Sequence, residues 1–559
     1  MNNSEKIVIY QVFPRLFGND NPTNEINGSI EKNGCGKFSA FSNIALNEIQ
    51  KMGFTHIWYT GVIEHATKTD YSAYGISKDN PTVVKGNAGS PYAIKDYYDV
   101  DPDLADDVKQ RMNEFEELVE RTHAANLKMI IDFVPNHVAR QYHSDAKPAG
   151  IKDLGENDNI HTSFDANNNF YYIPGQAFAP DFDLHKYKEF PAKATGNDKF
   201  DAHPGINDWY ETVKLNYGID YLSGGHKHFN PIPNTWHKML DILLFWSSKN
   251  IDGFRCDMAE MVPVEFWNWV IPQVKEKYPE IVFIAEVYNP LEYRNYLWNG
   301  KFDYLYDKVG LYDTLRAVIR GEKPASAITG CWQSIEGIQH QMLNFLENHD
   351  EQRIASVFFA EDPLKYIPAM VVAATMNTNP VMIYCGQELG EPGIDQEGFS
   401  GLDGRTTIFD YWSVDSIRKW RNKGKYDGKE LSKGQKDLRE FYVKLLNLCN
   451  SEKAIREGLF YDLMYLNYGN SKFNSDKQYV YLRKADNEIL LIVVNFEDKD
   501  VETSINIPAS VFDFLQISPK KIGTGIDLLT KEKSGSLLKP DNLFRTALKA
   551  NGVRIFKFL

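Results

Sequence analysis

Short apolar, β-prone runs alternate with amphipathic helical segments along most of this chain, and this alternation constrains the fold more than any other feature. The segments TWHKMLDILLFWSSKN (235–250) and PVEFWNWVIPQVKEKY (263–278) repeat apolar residues at helical spacing on either side of one such run. Eight strand–helix units predict an α/β fold, a closed parallel (β/α)8 or TIM barrel. The predicted strands are KIVIYQVF (6–13), THIWYTGV (55–62), KMIIDFVP (128–135), DGFRCD (252–257), IVFIAE (281–286), FDYLYD (302–307), MLNFLE (342–347) and PVMIYC (380–385).

Two segments depart from the alternation. The stretch after the third strand is rich in Asn, Asp, Gly, Pro and aromatic residues, and it is too long for a structureless connection. It predicts a small inserted domain. After an amphipathic helix at 436–449, alternating and apolar β runs, among them YDLMYLNY (461–468) and GVRIFKFL (552–559), predict a C-terminal antiparallel β-sandwich. We assign 1–137 and 231–455 to the barrel, 138–230 to the inserted domain and 456–559 to the C-terminal domain.

The charge balance limits the partners. With 62 basic and 76 acidic side chains the formal charge is −14, which disfavours binding to nucleic acid or anionic membranes. No apolar run is long enough to span a membrane, and the start MNNSEK has no leader pattern. We expect a cytoplasmic protein as written, or a periplasmic or exported one if a leader was removed. The five cysteines are scattered singly, which predicts neither a zinc site nor a disulfide framework.

Charged residues cluster where the predicted strands end. Arg255 and Asp257 lie two residues apart on the fourth strand, so both side chains point to one face. Because the carboxyl ends of barrel strands meet at one rim, polar residues at the other strand ends should join them. These are Asp132, Asn136 and His137 after the third strand, Glu286 after the fifth, and His349 and Asp350 after the seventh.

Such a set suits cleavage of a glycosidic bond. That reaction needs one carboxylate as nucleophile and a second, protonated carboxyl that gives its proton to the leaving oxygen. Crowded negative charge raises the pKa of the less compensated carboxyl. We expect Arg255 to keep Asp257 ionised.

Four motifs in this order resemble the alpha-amylase superfamily, glycoside hydrolase family 13: DFVPNH (132–137), GFRCD (253–257), the glutamate of IAEV (284–287) and ENHDEQR (347–353). YQVFPRLF (10–17) and GSPYAIKDYYDVDP (89–102) are also similar. The resemblance covers essentially the whole chain and identifies the insertion with that family's domain B.

The resemblance implies a role for each matching position. Asp257 matches the nucleophile that forms a covalent glycosyl intermediate, Glu286 the general acid and base, and Asp350 the third acid, which binds sugar hydroxyls. Residues that match the substrate-binding positions are Arg255, His137, His349 and the stacking aromatic Tyr92.

The resemblance does not decide whether the protein binds calcium, and we predict that no cofactor is required. Asn136 matches a calcium ligand of the family, although an Asn in such a loop also serves as a structural hydrogen-bonder. Many relatives carry Lys-His three and four residues after the nucleophile, where this chain has Glu260 and Met261. The Asn-rich loop 18–28 is similar to calcium loops of some relatives, and turn chemistry explains it equally well.

The leading hypothesis is a retaining hydrolase of alpha-1,4-glucans or maltooligosaccharides. One alternative is a transglycosylase or isomerase that uses the same intermediate on sucrose, trehalose or cyclodextrins. The other is a non-catalytic, carbohydrate-binding accessory protein. Relatives of that last kind lack the acids, which this chain retains.

Overall fold

The computed structural model describes residues 5–518 and 523–558. Its centre is a closed barrel of eight parallel strands, as the sequence predicts. Every predicted barrel strand contains an observed one, shortened by a few residues at its ends. In chain order the barrel strands are Val8–Val12, His56–Tyr59, Lys128–Phe133, Gly253–Cys256, Val282–Ala285, Tyr304–Tyr306, Met342–Phe345 and Val381–Tyr384.

The barrel interior is a packed core. Side chains from successive strands, among them Ile9, Trp58, Ile130, Ile284 and Met382, form one buried apolar cluster. Such layers fill a small parallel barrel and leave no pore. The chemistry therefore has to sit above the core, at the carboxyl ends of the strands.

Helices connect the strands and cover the barrel. Leu104, Val108, Met112, Phe115 and Val119 recur at helical spacing, which predicts one helix. The observed helix begins only at Arg111, because Leu104 and Val108 lie in two 3-10 turns. In these turns Asp101 and Asp107 accept hydrogen bonds from nearby backbone N–H groups, which competes with a helix. The α-helices among the described residues are Pro14–Phe17, Ile30–Asn33, Asn43–Lys51, Arg111–Ala124, Asn234–Ser247, Val264–Lys277, Tyr293–Trp298, Asp313–Ile319, Ala327–Ser334, Ile367–Thr375, Asp415–Arg421, Lys433–Ser451, Lys453–Arg456 and Ala509–Phe514.

Two excursions rise from the carboxyl end of the barrel. After the second barrel strand, Ile63–His65 pairs antiparallel with Ile94–Val100. After the third, the chain forms three small two-stranded sheets before it returns in the helix Asn234–Ser247. The boundaries that we predict for the inserted domain stay predictions. Its paired strands are His137–Ala139 with Thr212–Lys214, Tyr172–Ile173 with Ala192–Lys193, and Ile219–Asp220 with His226–Lys227.

The C-terminal part is antiparallel β structure, as predicted, and its main sheet has six strands. The predicted strand 461–468 is only partly correct, because the observed strand ends at Asp462 and a 3-10 turn follows. The last residue of the predicted strand 552–559 lies outside the described residues. The six strands, in sheet order, are Leu459–Asp462, Gln478–Ala485, Glu488–Asn495, Val553–Phe558, Thr524–Asp527 and Lys533–Leu537, and Val501–Ile507 pairs with Asn542–Leu548 in a second sheet.

Candidate active site

The predicted catalytic acids meet in one cleft at the carboxyl end of the barrel. Its volume is about 460 Å³, which lies within the usual range for ligand sites. Asp257, Glu286 and Asp350 all line it, although they come from the ends of three different strands. The other lining residues are Lys85, Ser90, Tyr92, His137, Trp209, Glu211, Thr212, Met258, Tyr288, Glu351, Arg405, Ile408 and Phe409.

Arg255 forms ion pairs with two of these acids. Its Nη1 lies 2.7 Å from Oδ1 of Asp257, and its Nη2 lies 2.8 Å from Oε2 of Glu286. The sequence led us to expect the first contact but not the second. The second contact is an ion pair without hydrogen-bond geometry. Because adjacent nitrogens of one guanidinium pair with both carboxylates, the two groups lie close together. Asp132 completes the set, at 3.5 Å from Nη1.

The arginine also shapes the electrostatics of the buried acids. Burial raises the pKa of Asp257, and the charge of Arg255 opposes that rise. For Asp132, burial outweighs the same arginine and raises the pKa to about 6. Glu286 and Asp350 further raise the pKa of Asp257. The cluster therefore favours holding a proton among its carboxyls, as a site that needs one acid and one nucleophile requires.

Glu286 is held by the loop that follows Asp257. The backbone N–H of Met258 donates to its Oε2 at 2.8 Å, and the hydroxyl of Tyr288 donates to its Oε1. Met258 has φ 43°, a left-handed conformation that is rare for a side chain of this kind. The strained backbone aims this N–H at the carboxylate, which ties the position of Glu286 to that of the neighbouring nucleophile candidate.

His349 and Tyr92 stand beside Asp350. The Tyr92 hydroxyl contacts Nε2 of His349 at 2.6 Å, and the Gln11 amide contacts Nδ1 at 2.8 Å. Burial, with the nearby charge of Arg255, lowers the pKa of His349, so its ring is neutral at neutral pH. The side chain of Asp350 is 43% exposed, which makes it accessible to a ligand in the cleft.

His137 also lines the cleft, 5.2 Å from the Trp209 ring between ring centres. Burial and the nearby Lys214 lower its pKa to about 3, so it too is neutral. The structure thus brings all the predicted catalytic and substrate-binding residues together. Sequence reasoning missed Tyr288, two residues after Glu286, and the wall residues Trp209, Arg405 and Phe409, which have no local pattern to mark them.

The predicted calcium ligand Asn136 does not fit a metal ion. The ammonium of Lys214 donates to Oδ1 of Asn136, lies 2.7 Å from Oδ1 of Asp198, and lies 3.3 Å from the backbone oxygen of Met261. These oxygens would have to serve both the ammonium and an ion. The Asn136 amide also donates to the backbone oxygen of Gly196 at 2.8 Å. The geometry supports the alternative interpretation, a structural hydrogen-bonder.

The loop 18–28 shows the same preference for hydrogen bonding. The side-chain oxygens of Asn19 and Asn21 each accept from the backbone N–H two residues further on, at 3.1 and 2.9 Å. Such contacts are the turn chemistry that the sequence offered as one explanation.

A (β/α)8 barrel whose acidic cleft holds two carboxylates on one arginine defines a class of protein, the barrel-fold glycosidases. The family described as "Alpha amylase, catalytic domain" matches residues 11–442. The chain therefore belongs to the alpha-amylase family. Within the described part of the chain, no helix is both long and apolar enough to cross a membrane.

Individual relatives are distant. Alpha-amylase 2 of Dictyoglomus thermophilum is 22% identical over 514 residues, which cover 90% of this chain and 71% of the relative. A cyclomaltodextrinase of Geobacillus thermopakistaniensis is 21% identical over 510 residues, with coverages of 90% and 71%. The crystal structure of the maltogenic alpha-amylase AmyB of Thermotoga neapolitana superposes with a TM-score of 0.63 at 18% identity, and covers 100% of this chain and 99% of that one.

Proposed function

We propose that this protein is a retaining glycoside hydrolase that cleaves alpha-1,4 bonds in maltooligosaccharides and related alpha-glucans. The observation that carries the proposal is the single arginine that holds Asp257 and Glu286 side by side in a cleft with Asp350. Retaining enzymes place their two carboxyls about 5 to 5.5 Å apart, whereas inverting enzymes leave room for a water between them. Two carboxylates that pair with one guanidinium are compatible with the shorter separation, which the anomer of the first product tests.

The reaction runs in two steps. In the first, Asp257 attacks the anomeric carbon, the bond to the leaving oxygen breaks, and Glu286 gives its proton to that oxygen. In the second, Glu286 takes a proton from water, the water oxygen bonds to the anomeric carbon, and the ester to Asp257 breaks. Arg255 holds Oδ1 of Asp257, while Oδ2 has no hydrogen-bond partner among the described residues and is free to attack.

The cleft walls support a sugar substrate. Tyr92, Trp209 and Phe409 offer aromatic faces, and Asp350 offers an exposed carboxylate for hydroxyl groups. The volume of about 460 Å³ supports a short segment of glucan rather than a long one. Two of the matched relatives are an alpha-amylase and a cyclomaltodextrinase, and these names support alpha-linked glucose as the substrate class.

The test is the cleavage of maltoheptaose, followed by reducing-sugar release and by proton NMR of the first product. We expect release of the alpha anomer, and loss of at least about 100-fold in kcat for Glu286→Gln with substrate binding retained. Glu280→Gln is the matched control. Glu280 is exposed and lies just before the strand Val282–Ala285, whereas Glu286 lies just after it, at the cleft. Initial release of the beta anomer would rule out retention, and activity of Glu286→Gln within about tenfold of the parent would remove it as the acid.

The same assay separates hydrolysis from transfer. Maltoheptaose is incubated with and without a glucose acceptor, and the products are resolved by chain length. Products longer than the substrate at low acceptor concentration would favour the transglycosylase alternative. No new reducing ends from maltoheptaose, starch, pullulan or cyclodextrin would contradict the hydrolase proposal.

A further inference from the structure

Three buried carboxylates outside the catalytic cleft form a second acidic cluster. Glu64 lies on the strand Ile63–His65, while Asp96 and Asp99 lie on its partner Ile94–Val100. One oxygen from each of the three lies within 4.8 Å of the others. None of the three lines the catalytic cleft.

Irregular strand pairing brings the three residues together. Asp96 and Asp99 are an odd number of positions apart, so a regular strand would turn them to opposite faces. The register shifts between Ile63 and Glu64, where the paired residues jump from Val100 to Asp96. Such a bulge re-aims side chains, and here it directs both aspartates toward Glu64.

Glu64 is the unusual member of the cluster. It is 1% exposed, and neither of its carboxylate oxygens has a hydrogen-bond partner among the described residues. A buried carboxylate without partners is costly, and burial with the nearby Asp96 raises the pKa of Glu64. The nearest cation, the ammonium of Lys95, is 3.9 Å away and lies closer to Asp79, at 3.2 Å.

The charges around the cluster do not balance. Arg111 pairs with Asp99 at 2.9 Å through Nε, and Lys95 pairs with Asp79. The remaining carboxylates, Glu64 and Asp96, have no cation of their own among these contacts. When both are ionised, their two negative charges match one divalent cation.

We propose that Glu64, Asp96 and Asp99 bind one Ca²⁺ ion. All three ligands are hard oxygen donors, and calcium takes oxygens at about 2.3 to 2.6 Å in flexible geometry. Mg²⁺ is smaller and demands near-ideal octahedral geometry, so three carboxylates fixed on two strands suit the flexible coordination of calcium better.

The position of the cluster gives the ion a structural role. Asp96 accepts hydrogen bonds from the hydroxyl of Ser144 at 2.5 Å and from the N–H of Ala146 at 2.9 Å, both at the start of the inserted segment. Asp99 holds Arg111, the first residue of a barrel helix. A calcium ion here would fasten the strand pair, the inserted segment and the barrel helix to one another. This inference does not depend on the proposed catalytic activity.

The test measures metal binding and thermal stability on the full-length protein after chelator treatment. We expect calcium titration by calorimetry to show one site per chain, and added calcium to raise the Tm in the absence of any substrate. Magnesium at the same concentration should raise the Tm less.

Glu64→Gln tests the assignment to this cluster. The amide keeps the shape of the side chain and removes the unpaired charge, so the calcium-free variant should be at least as stable as the calcium-free parent. Its calcium affinity should fall at least tenfold. Glu117→Gln is the matched control: Glu117 is exposed on the helix Arg111–Ala124, and this variant should bind calcium as the parent does.

Two outcomes would overturn the proposal. One is no binding heat and no rise in Tm at about 5 mM calcium, which exceeds the dissociation constants of weak calcium modules. The other is unchanged calcium affinity in Glu64→Gln, which would place any bound ion elsewhere. If Glu64→Gln fails to fold, Asp96→Asn provides the same comparison.

Discussion

Replacing Lys214 by methionine removes a buried ammonium that joins the inserted segment to the barrel. The Lys214 side chain is 2% exposed, and it contacts oxygens of Asn136, Asp198 and Met261. Methionine keeps most of the aliphatic length and cannot donate a hydrogen bond. The variant therefore isolates the contribution of the cation from that of packing.

The magnitude follows from what each partner loses. Asn136 is fully buried, so its amide oxygen is left without this donor, a loss that costs about 1 to 3 kcal/mol. Asp198 is 39% exposed, so water solvates its charge and its loss is smaller than the 3 to 5 kcal/mol of a fully buried pair. We expect the free energy of unfolding to fall by about 2 to 3 kcal/mol.

The assay is urea denaturation followed by intrinsic fluorescence, with Lys227→Met as the matched control. Lys227 lies on the same inserted segment and pairs with Glu265, but its side chain is 52% exposed, so its loss should cost no more than about 1 kcal/mol. Equal stability of Lys214→Met and the parent would refute the reasoning. If calcium stabilised Lys214→Met by more than it stabilises the parent, the result would show instead that this pocket prefers an ion.

Two further predictions concern a buried histidine and the bridging arginine. Burial lowers the pKa of His56 to about 3, against about 6.5 unfolded, so its stabilising effect is complete above pH 6.5 and is lost as the pH falls. The stability difference between the parent and His56→Gln should therefore shrink by about 2 kcal/mol from pH 7 to pH 5 in urea denaturation; a constant difference would contradict this. Arg255→Lys cannot span Asp257 and Glu286, so kcat on maltoheptaose should fall about 100-fold or more with KM little changed; a loss confined to KM would instead indicate a role in binding only.

The barrel could be predicted because its strands are buried on every side. Runs such as Val8–Val12 and Val381–Tyr384 are apolar almost throughout, and helices follow them at regular intervals. The strands Lys533–Leu537 and Asn542–Leu548 of the C-terminal part were missed for the opposite reason. They expose much of their length, and their sequences KSGSL and NLFRTAL do not alternate cleanly between apolar and polar residues. The strand predicted at 461–468 ends early because Asp462 accepts from the N–H of Met464 at 2.7 Å and starts a turn.

The candidate catalytic residues could be predicted because each follows a recognisable strand, and strand ends of a barrel converge. Lys214 could not, since it contacts Asn136 across 78 positions of sequence, and a single lysine has no pattern that predicts its partner. Glu64 is a similar case. Its unpaired state depends on a bulge between two strands that the sequence does not mark.

Lys214 and the acidic cluster around Glu64 are two places where the inserted segment is attached to its surroundings. Tyr92 leads into the strand that holds Asp96 and Asp99, and His137 is next to Asn136, which accepts from Lys214. Movement of the inserted segment would therefore displace one substrate-binding candidate through each attachment. The ammonium at one attachment belongs to the chain and cannot dissociate, whereas the proposed calcium ion at the other can. The N–H of His143 donates to the backbone oxygen of Lys95 at 3.1 Å, so the two attachments are joined to each other. We infer that changes in calcium would act on both of them, and that any effect on sugar binding would include the contact between Tyr92 and His349.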